Sequence, residues 1–310
     1  MDNAVLLKQM AAIQKAGNNV TLRDDNARAF VLDQIANATT LAKLPTYFAN
    51  SGTGSIDKLG VKRRTLKLHQ GTNTKPDGTD IAEEGTVPFA LTPLYLDTWI
   101  ENSNTFYTAR TRGQDVRQAL LSLMQSQYAA DLQDLAFNGD AASTDAFLKL
   151  NDGFIKQAKT SNAINNLEVD KLPTIAELTL WTGGIKSKYL RAGTYTWFMS
   201  QATSLYYVNE LQGRQTALGD ATIVNGKLTN IGGYAVEVVD NMDDSAILFT
   251  TLSNLVPVVG LNVTLTTAAA DSLSVAKQAT YHFMLEDVDF IIREPKMLGI
   301  ITKKAVTPAA

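Results

Sequence analysis

From Gln114 to Asn138 the chain runs without a glycine or a proline, the residues that most readily interrupt a helix. Val116, Leu120 and Leu123 fall on one stripe, and Leu121, Met124, Tyr128, Leu132 and Leu135 on another, both at helical spacing. The run predicts a single helix of about 37 Å at 1.5 Å per residue. Asn138-Gly139 is expected to end it, with the glycine in the left-handed cap position. Arg117, Gln125 and Gln133 are left for a wet face, so the helix should lie along a surface with one side open. An element of this length sets one dimension of the fold, and the rest must be arranged around it.

The 310 residues allow one or two cores with extensions. A hydrophobic fraction of 45% with 19% charged residues excludes wholesale disorder. Lys and Arg number 28 against 31 Asp and Glu, a net charge of -3. That balance lacks the basic excess needed for sequence-independent phosphate binding, so any contact with nucleic acid should be weak or indirect. The chain has no cysteine, which removes disulfides, thiolate nucleophiles and Cys-based metal sites. No apolar run approaches the roughly 18 residues of a bilayer-crossing helix, and the start shows no cleavage-type signal. The expectation is a protein made and kept in the cytoplasm, with no membrane partner.

Ahead of the long helix, residues 4–16 carry Val5, Leu6, Met10 and Ile13 at helix-like spacing. A second helix is predicted from Asp24 to Asn37, with Ala27, Phe30, Val31, Gln34 and Ile35 near one face. Two short helices cannot bury both stripes against each other alone. They form either an arm that leans on another surface or a helical hairpin on the protein's own core. From Leu41 the pattern turns extended. Ser51–Gly60 reads as Gly-rich punctuation, Thr65–His69 alternates like a strand, and residues 71–85 are nearly free of large apolar groups, with Pro76-Asp77-Gly78 as a turn. Extended character resumes from Thr86 to about Arg110. Together these segments predict a long hairpin with a polar tip. A bare two-stranded ribbon is marginal in water, so a neighbouring copy is its natural support. The alternative is a disordered loop.

After Pro173 the elements become short and alternating: a helix over Thr174–Leu190, strands at Thr194–Met199, Tyr234–Val239 and Ala246–Thr250, and a helix at Ser200–Leu211. Asn225-Gly226 signals a tight hairpin between Ile223 and Leu228. Extended chain follows over Val256–Thr267 and Gln278–Ile292.

Little in this pattern suggests chemistry. The two histidines, His69 and His282, lie far apart and lack metal-ligand spacing. Trp181–Ser187 has glycines but breaks the Gly-Lys-Ser adjacency of a phosphate loop. Asp80, Glu83 and Glu84 lie at a polar tip where no apolar pocket raises a pKa.

The order of parts, a polar-tipped hairpin, a long helix, an inserted α+β unit and a final return of extended chain, resembles the α+β Hong Kong 97-type capsid fold of tailed double-stranded-DNA phages. LAFNGDAAS at Leu135–Ser143, LKLNDGFIKQA at Leu148–Ala158 and DVDFIIREPKMLGI at Asp287–Ile300 carry the resemblance in detail. It implies an N-terminal arm at 1–40 and an extended E-loop at 66–95. It implies a peripheral P-domain at 41–65, 96–169 and 269–310, with its spine helix at about 113–138, and an axial A-domain at 170–268.

The implied function is that of a major capsid protein, self-assembling into the hexamers and pentamers of an icosahedral head that encloses the genome. It would be a structural virion protein and not an enzyme, with no catalytic residues, cofactor or metal, assembled in the bacterial host cytoplasm. The arm begins near Met1, where the family prototype carries a scaffolding segment, so a separate scaffolding protein is expected. Other expected partners are a portal protein, a decoration protein in some shells, and packaged DNA touched weakly. Lys67 and Lys75 match no cross-linking motif, so no covalent bond between subunits is expected.

Lys75, Asp77, Asp80, Glu83 and Glu84 are the candidate inter-subunit residues of the E-loop tip. Arg63, Arg64, Arg110, Arg112 and Arg293 are the candidate docking partners, since opposite charges fix register between copies. An encapsulin-like compartment shell and a carboxylate-based enzyme are the alternatives.

Overall fold

The computed structural model describes residues 20–21, 24–61, 66, 68–69, 71, 82–101, 116–161, 165–185, 190, 194–213, 223–224, 227–268 and 271–304. In chain order the first elements are β1 (Val20–Thr21), α1 (Asp24–Ala36), β2 (Tyr47–Ala49), β3 (Thr53–Val61), β4 (Ala82–Ala90), β5 (Thr92–Glu101) and the long helix α2 (Val116–Asn138). Next come α3 (Phe154–Thr160), β6 (Asn165–Val169), α4 (Ile175–Trp181), β7 (Tyr195–Met199) and α5 (Gln201–Gln212). The rest is β8 (Ile223–Val224), β9 (Lys227–Leu228), β10 (Asn230–Ile231), β11 (Tyr234–Val238), β12 (Ala246–Thr251), β13 (Leu255–Gly260), β14 (Thr264–Ala268), α6 (Ser272–Lys277), β15 (Ala279–Ile292) and β16 (Gly299–Lys303).

β15 organises the first sheet, pairing with β5, β14 and β13, while β1 adds to β14 and β2 to β13. Its side chains alternate over the middle of the strand: His282, Met284, Glu286 and Val288 are buried, and Tyr281, Phe283, Leu285 and Asp287 are half-exposed. On the buried face lie α1 and α2, where Phe30, Val31, Ile35, Met124, Leu132 and Leu135 join Met284 and Val288 in one core. The α1 stripe therefore finds its support within the same copy, as in the own-core alternative for these helices. Residues 4–16 lie outside the described residues.

The face that α2 buries differs from the one its apolar stripes suggest. Gln125 and Gln133 are 2% and 4% exposed, whereas Leu123 is 68% exposed. Gln133 shows the reason. Its Oε1 accepts from the backbone N–H of Thr40 at 2.9 Å and of Leu41 at 3.4 Å, and its Nε2 donates to the Asp240 carbonyl at 3.4 Å. Two loops with unpaired backbone groups meet the helix there, and an amide answers both.

The helix also ends differently from expectation, because Gly139 is not left-handed; among the described residues the positive-φ glycines are Gly71, Gly232 and Gly233. A Cβ at Gly139 would stand 2.4 Å from the Asn151 carbonyl oxygen and 2.6 Å from that of Leu135. Glycine is needed for close backbone approach, not for handedness. Asn138 then ties the helix end to the turn at Asn241–Asp243, donating to the Asn241 carbonyl at 2.5 Å and accepting from Asp243 N–H at 2.9 Å.

The second sheet has the order β10-β11-β7-β12-β16-β6, and its central strands are buried on both faces. Tyr195, Trp197, Phe249 and Ile301 face Leu178 of α4 and Tyr207 of α5. Phe198, Leu248 and Ile300 face the core shared with α2 and α3. The Trp197 and Phe249 rings lie 4.3 Å apart between centroids. Strands covered on both sides read as unbroken apolar runs rather than alternating ones.

α4 begins at a capping box of Thr174 and Glu177, and it ends at Trp181 instead of continuing to Leu190. A 3-10 turn over Thr182–Gly184 follows, where two glycines lower helix propensity. The Trp181 ring lies over β16, and a Cβ at Gly299 would come within 2.4 Å of it. Sheet membership also departs from boundaries at 170 and 268. β6 and β16 belong to the second sheet, and β13 and β14 to the first.

The hairpin is displaced from its expected place. β3 and β4 form nine antiparallel pairs, from Thr53 opposite Ala90 to Val61 opposite Ala82, so Ser51–Gly60 is largely strand and not punctuation. Its glycines make room for large cross-strand neighbours. A Cβ on Gly54 would stand 2.7 Å from the Phe89 ring, and one on Gly85 would stand 2.7 Å from the Lys58 chain. Glycine inside a strand commonly marks such an approach. β5 leaves the hairpin after Leu91 and pairs with β15 over ten residues.

Candidate assembly surfaces

Nine pairs at about 3.3 Å per residue carry the hairpin roughly 30 Å from root to last pair. Its root rests on the same copy. Phe89 is buried with Ala49, Val256, Val258 and Ile291, and Ile56 and Val87 pack against them. Asp289 accepts from Ala90 N–H at 2.8 Å and from Phe290 N–H at 2.8 Å, and Asn151 Nδ2 donates to it at 3.2 Å. Burial raises the Asp289 carboxyl above its ordinary range, and these donors partly offset that rise. Lys58 of β3 pairs with Glu294 at 3.3 Å, bracing the hairpin against the segment that follows β15. Beyond the last pair, Leu66 and Leu68 are 98% and 81% exposed. Among the described residues these are the two most exposed of the large apolar side chains.

Glu83 and Glu84 stand in β4 opposite Gly60 and Leu59, so they belong to the paired shaft and not to the tip. The sequence around them is polar and glycine-containing, which is why it reads as a loop although it pairs as a strand. Lys75, Asp77, Asp80, Arg63, Arg64, Arg110 and Arg112 lie outside the described residues. Arg293 is exposed, and its N–H donates to the Asn254 carbonyl at 3.0 Å, beside Glu294 at the hairpin root. Sequence reasoning did not single out Lys58, Phe89 or Asp289; the glycines opposite the first two, Gly85 across from Lys58 and Gly54 across from Phe89, are the signal for those, and Asp289 has none.

Two further surfaces come from the tertiary structure. On the outer face of the first sheet, Tyr95 stacks with Phe283 at 5.6 Å and Trp99 lies 4.8 Å from Tyr281, with the Lys277 ammonium 4.2 Å above the Trp99 ring. At the end of α2 an open groove of about 830 Å³ is lined by Asp134, Asp140, Asp145, Phe147, Lys156 and Asp243 among others. Lys156 pairs with Asp140 at 2.9 Å. The histidines serve local structure: His69 Nδ1 accepts from Gly71 N–H at 3.2 Å, and His282 is buried 3.3 Å from the Thr267 hydroxyl. Among the described residues no group of three potential ligands stands close enough to hold a metal.

No family model matches the chain. A protein of Bacillus subtilis (strain 168) named for a prophage capsid, YqbE, is 25% identical over 194 residues, or 61% of this chain and 60% of that protein. The match thus spans about 60% of the length of this curated relative. Among solved structures, a chain of the satellite phage P4 procapsid superposes with a TM-score of 0.70 at 12% identity, covering 95% of this chain and 96% of its own. The capsid of a native GTA particle gives 0.57 at 13% identity over 87% and 91%. A virus-like particle from Pyrococcus furiosus gives 0.51 at 13% over 89% and 98%. At such identities the likeness is one of fold, and it extends over nearly the whole chain. The fold of this chain is the α+β fold of phage capsid shell proteins.

Proposed function

We propose that the chain is a major capsid protein, a structural subunit that self-assembles into the hexamers and pentamers of a phage head enclosing double-stranded DNA. The observation that carries this is the hairpin: its shaft is supported at the root, while Leu66 and Leu68 are offered to solvent at the far end. A neighbouring copy completes it. The shell fold and the relative named for a prophage capsid support the same role. A net charge of -3 suits a wall that must not grip the packaged genome.

Within this role the first sheet with α1, α2 and α3 forms the peripheral domain, and the second sheet with α4 and α5 forms the axial one. A scaffolding protein and a portal are the partners, with a decoration protein optional, and assembly takes place in the host cytoplasm. Glu83 and Glu84, with Lys75, Asp77 and Asp80, remain the charged residues through which the hairpin finds its register, against the arginines of the next copy. The subunit does no chemistry.

Negative-stain microscopy of the full chain, alone and with its scaffold, tests the role. Rings of five and six subunits or closed particles are expected, and a monodisperse small oligomer under both conditions would refute it. The likeness to a virus-like particle favours a compartment shell as the second reading. Nuclease-protected DNA inside particles purified from the producing cell separates the two.

A further inference from the structure

Glu286 of β15 is a carboxylic acid in the middle of the main core. It is 1% exposed and lies on the strand face covered by α1 and α2, and its Oε2 has no hydrogen-bond partner. Other buried polar groups around it are equally unanswered: the Tyr128 hydroxyl of α2 and both ends of the Gln34 amide of α1. Gln125 Nε2, one helical turn before Tyr128, is unpartnered as well. Tyr128 and Gln34 stand close enough to act on the Glu286 charge. None of the ion pairs among the described residues includes Glu286. If packing were the only demand, an apolar side chain would suit this position better.

We propose that Glu286, Tyr128 and Gln34 form a protonation-controlled latch that fixes helix α1 to the α2–β15 core, closed while the acid is neutral and loosened when it ionises. The latch belongs to the subunit and operates whatever the chain assembles into.

Burial is the dominant influence on Glu286 and pushes its carboxyl up to about 8, against the opposing pull of Tyr128 and Gln34, while the Asp287 charge adds to the rise. Burial, then the Glu286 charge, holds the Tyr128 phenol well above its ordinary value, so the phenol stays neutral throughout. Gln34 and Gln125 carry no charge. Leu94, opposite Glu286 on β5, is apolar. Among the described side chains of the two helices, the remaining charges are engaged elsewhere or turned away. Arg28 lies over the Phe48 ring at 5.6 Å, and Asp131 accepts from Gln127 at 2.8 Å. Asp33 precedes Gln34 and so points about 100° round the helix.

A neutral carboxyl can both donate and accept, and so can satisfy the amide and the phenol together. Once ionised it only accepts, and it leaves a charge in the core with no cation beside it. Relief requires water, which enters by displacing the least anchored of the three elements. β15 is locked by three strands, and α2 is held at its far end by Asn138. α1 is held by apolar packing and, past its C-terminus, by Gln133 gripping Thr40 and Leu41.

The docked carboxyl titrates above the solvated one. Docking is therefore strongest below about pH 4.5, weakens about tenfold per pH unit as the solvated form ionises, and levels off above about pH 8. Hydrogen exchange of the full chain between pH 5 and 9, corrected for intrinsic rates, reads this directly. Protection of residues 27–35 is expected to fall about tenfold per unit up to pH 8, while residues 129–136 of α2 hold theirs. In Glu286→Gln the α1 profile should be flat. In Tyr128→Phe, which removes a donor that favours the charged form, the fall should extend to higher pH. A Glu286→Gln profile parallel to wild type overturns the latch; if that variant does not fold, an unshifted window in Tyr128→Phe does so.

Discussion

Phe249 in the second sheet and Phe89 at the hairpin root are both buried, but they answer to different neighbours. Phe249 sits among Trp197, Tyr195, Tyr234 and Trp181, with ring centroids 4.3 to 6.4 Å away. It belongs to a strand covered on both faces. Phe89 lies across the bare backbone of Gly54 and seals a small satellite core at the start of a projection. The central strands of the second sheet are covered on both faces within one copy. The hairpin is packed at its root, and beyond its last pair Leu66 and Leu68 are exposed. One region carries much of the packing of the subunit; the other, on the function proposed above, carries its capacity to associate.

Substitutions can break or sharpen this contrast. Phe249→Ala should have the largest effect, about 3–5 kcal/mol of subunit stability in denaturant unfolding, from lost burial plus the cavity left in a rigid aromatic cluster. Gly139→Ala should follow at about 1–3 kcal/mol, because backbone carbonyls and not mobile side chains block the new methyl. Lys58→Met removes a half-exposed ion pair and should cost at most about 1 kcal/mol. If it cost as much as Phe249→Ala, the hairpin would be part of the subunit core.

The double change Leu66→Asp with Leu68→Asp should leave subunit unfolding within about 0.5 kcal/mol of wild type while abolishing rings and particles in microscopy. Normal assembly by that variant would remove the hairpin from the interface. Equal losses of stability and assembly would erase the contrast altogether.

The two regions also differ in how legible they were. The strands around Trp197 and Phe249, the helix capped by Ser200 and the paired segments flanking Asn225-Gly226 were found close to their observed bounds, because apolar runs and cap residues act within a few positions. The first hairpin strand, expected from Val61 onward, stands at Thr53–Val61, and the second, expected from Thr86, begins at Ala82. A Gly-rich segment looks like a loop unless one knows that Phe89 lies across Gly54, and that follows only from a pairing 35 residues apart in sequence. The glutamates expected at a free tip became part of the shaft for the same reason.

By itself, the sequence determined the local elements and their order: the uninterrupted helix, the alternating unit after Pro173, the long closing strand and, through that order, the class of fold. Only the tertiary structure decided which faces are dry and which strands share a sheet. The long helix shows this directly. Its length follows from a run without glycine or proline, but burial of Gln125 and Gln133 and exposure of Leu123 follow from what reaches it through space. Backbone groups of Thr40, Leu41 and Asp240 require an amide, and no periodicity records a partner about a hundred residues away. Glu286 is the same lesson in a strand. Alternation places it on the inner face, and only the packing of two helices over it makes that position dry.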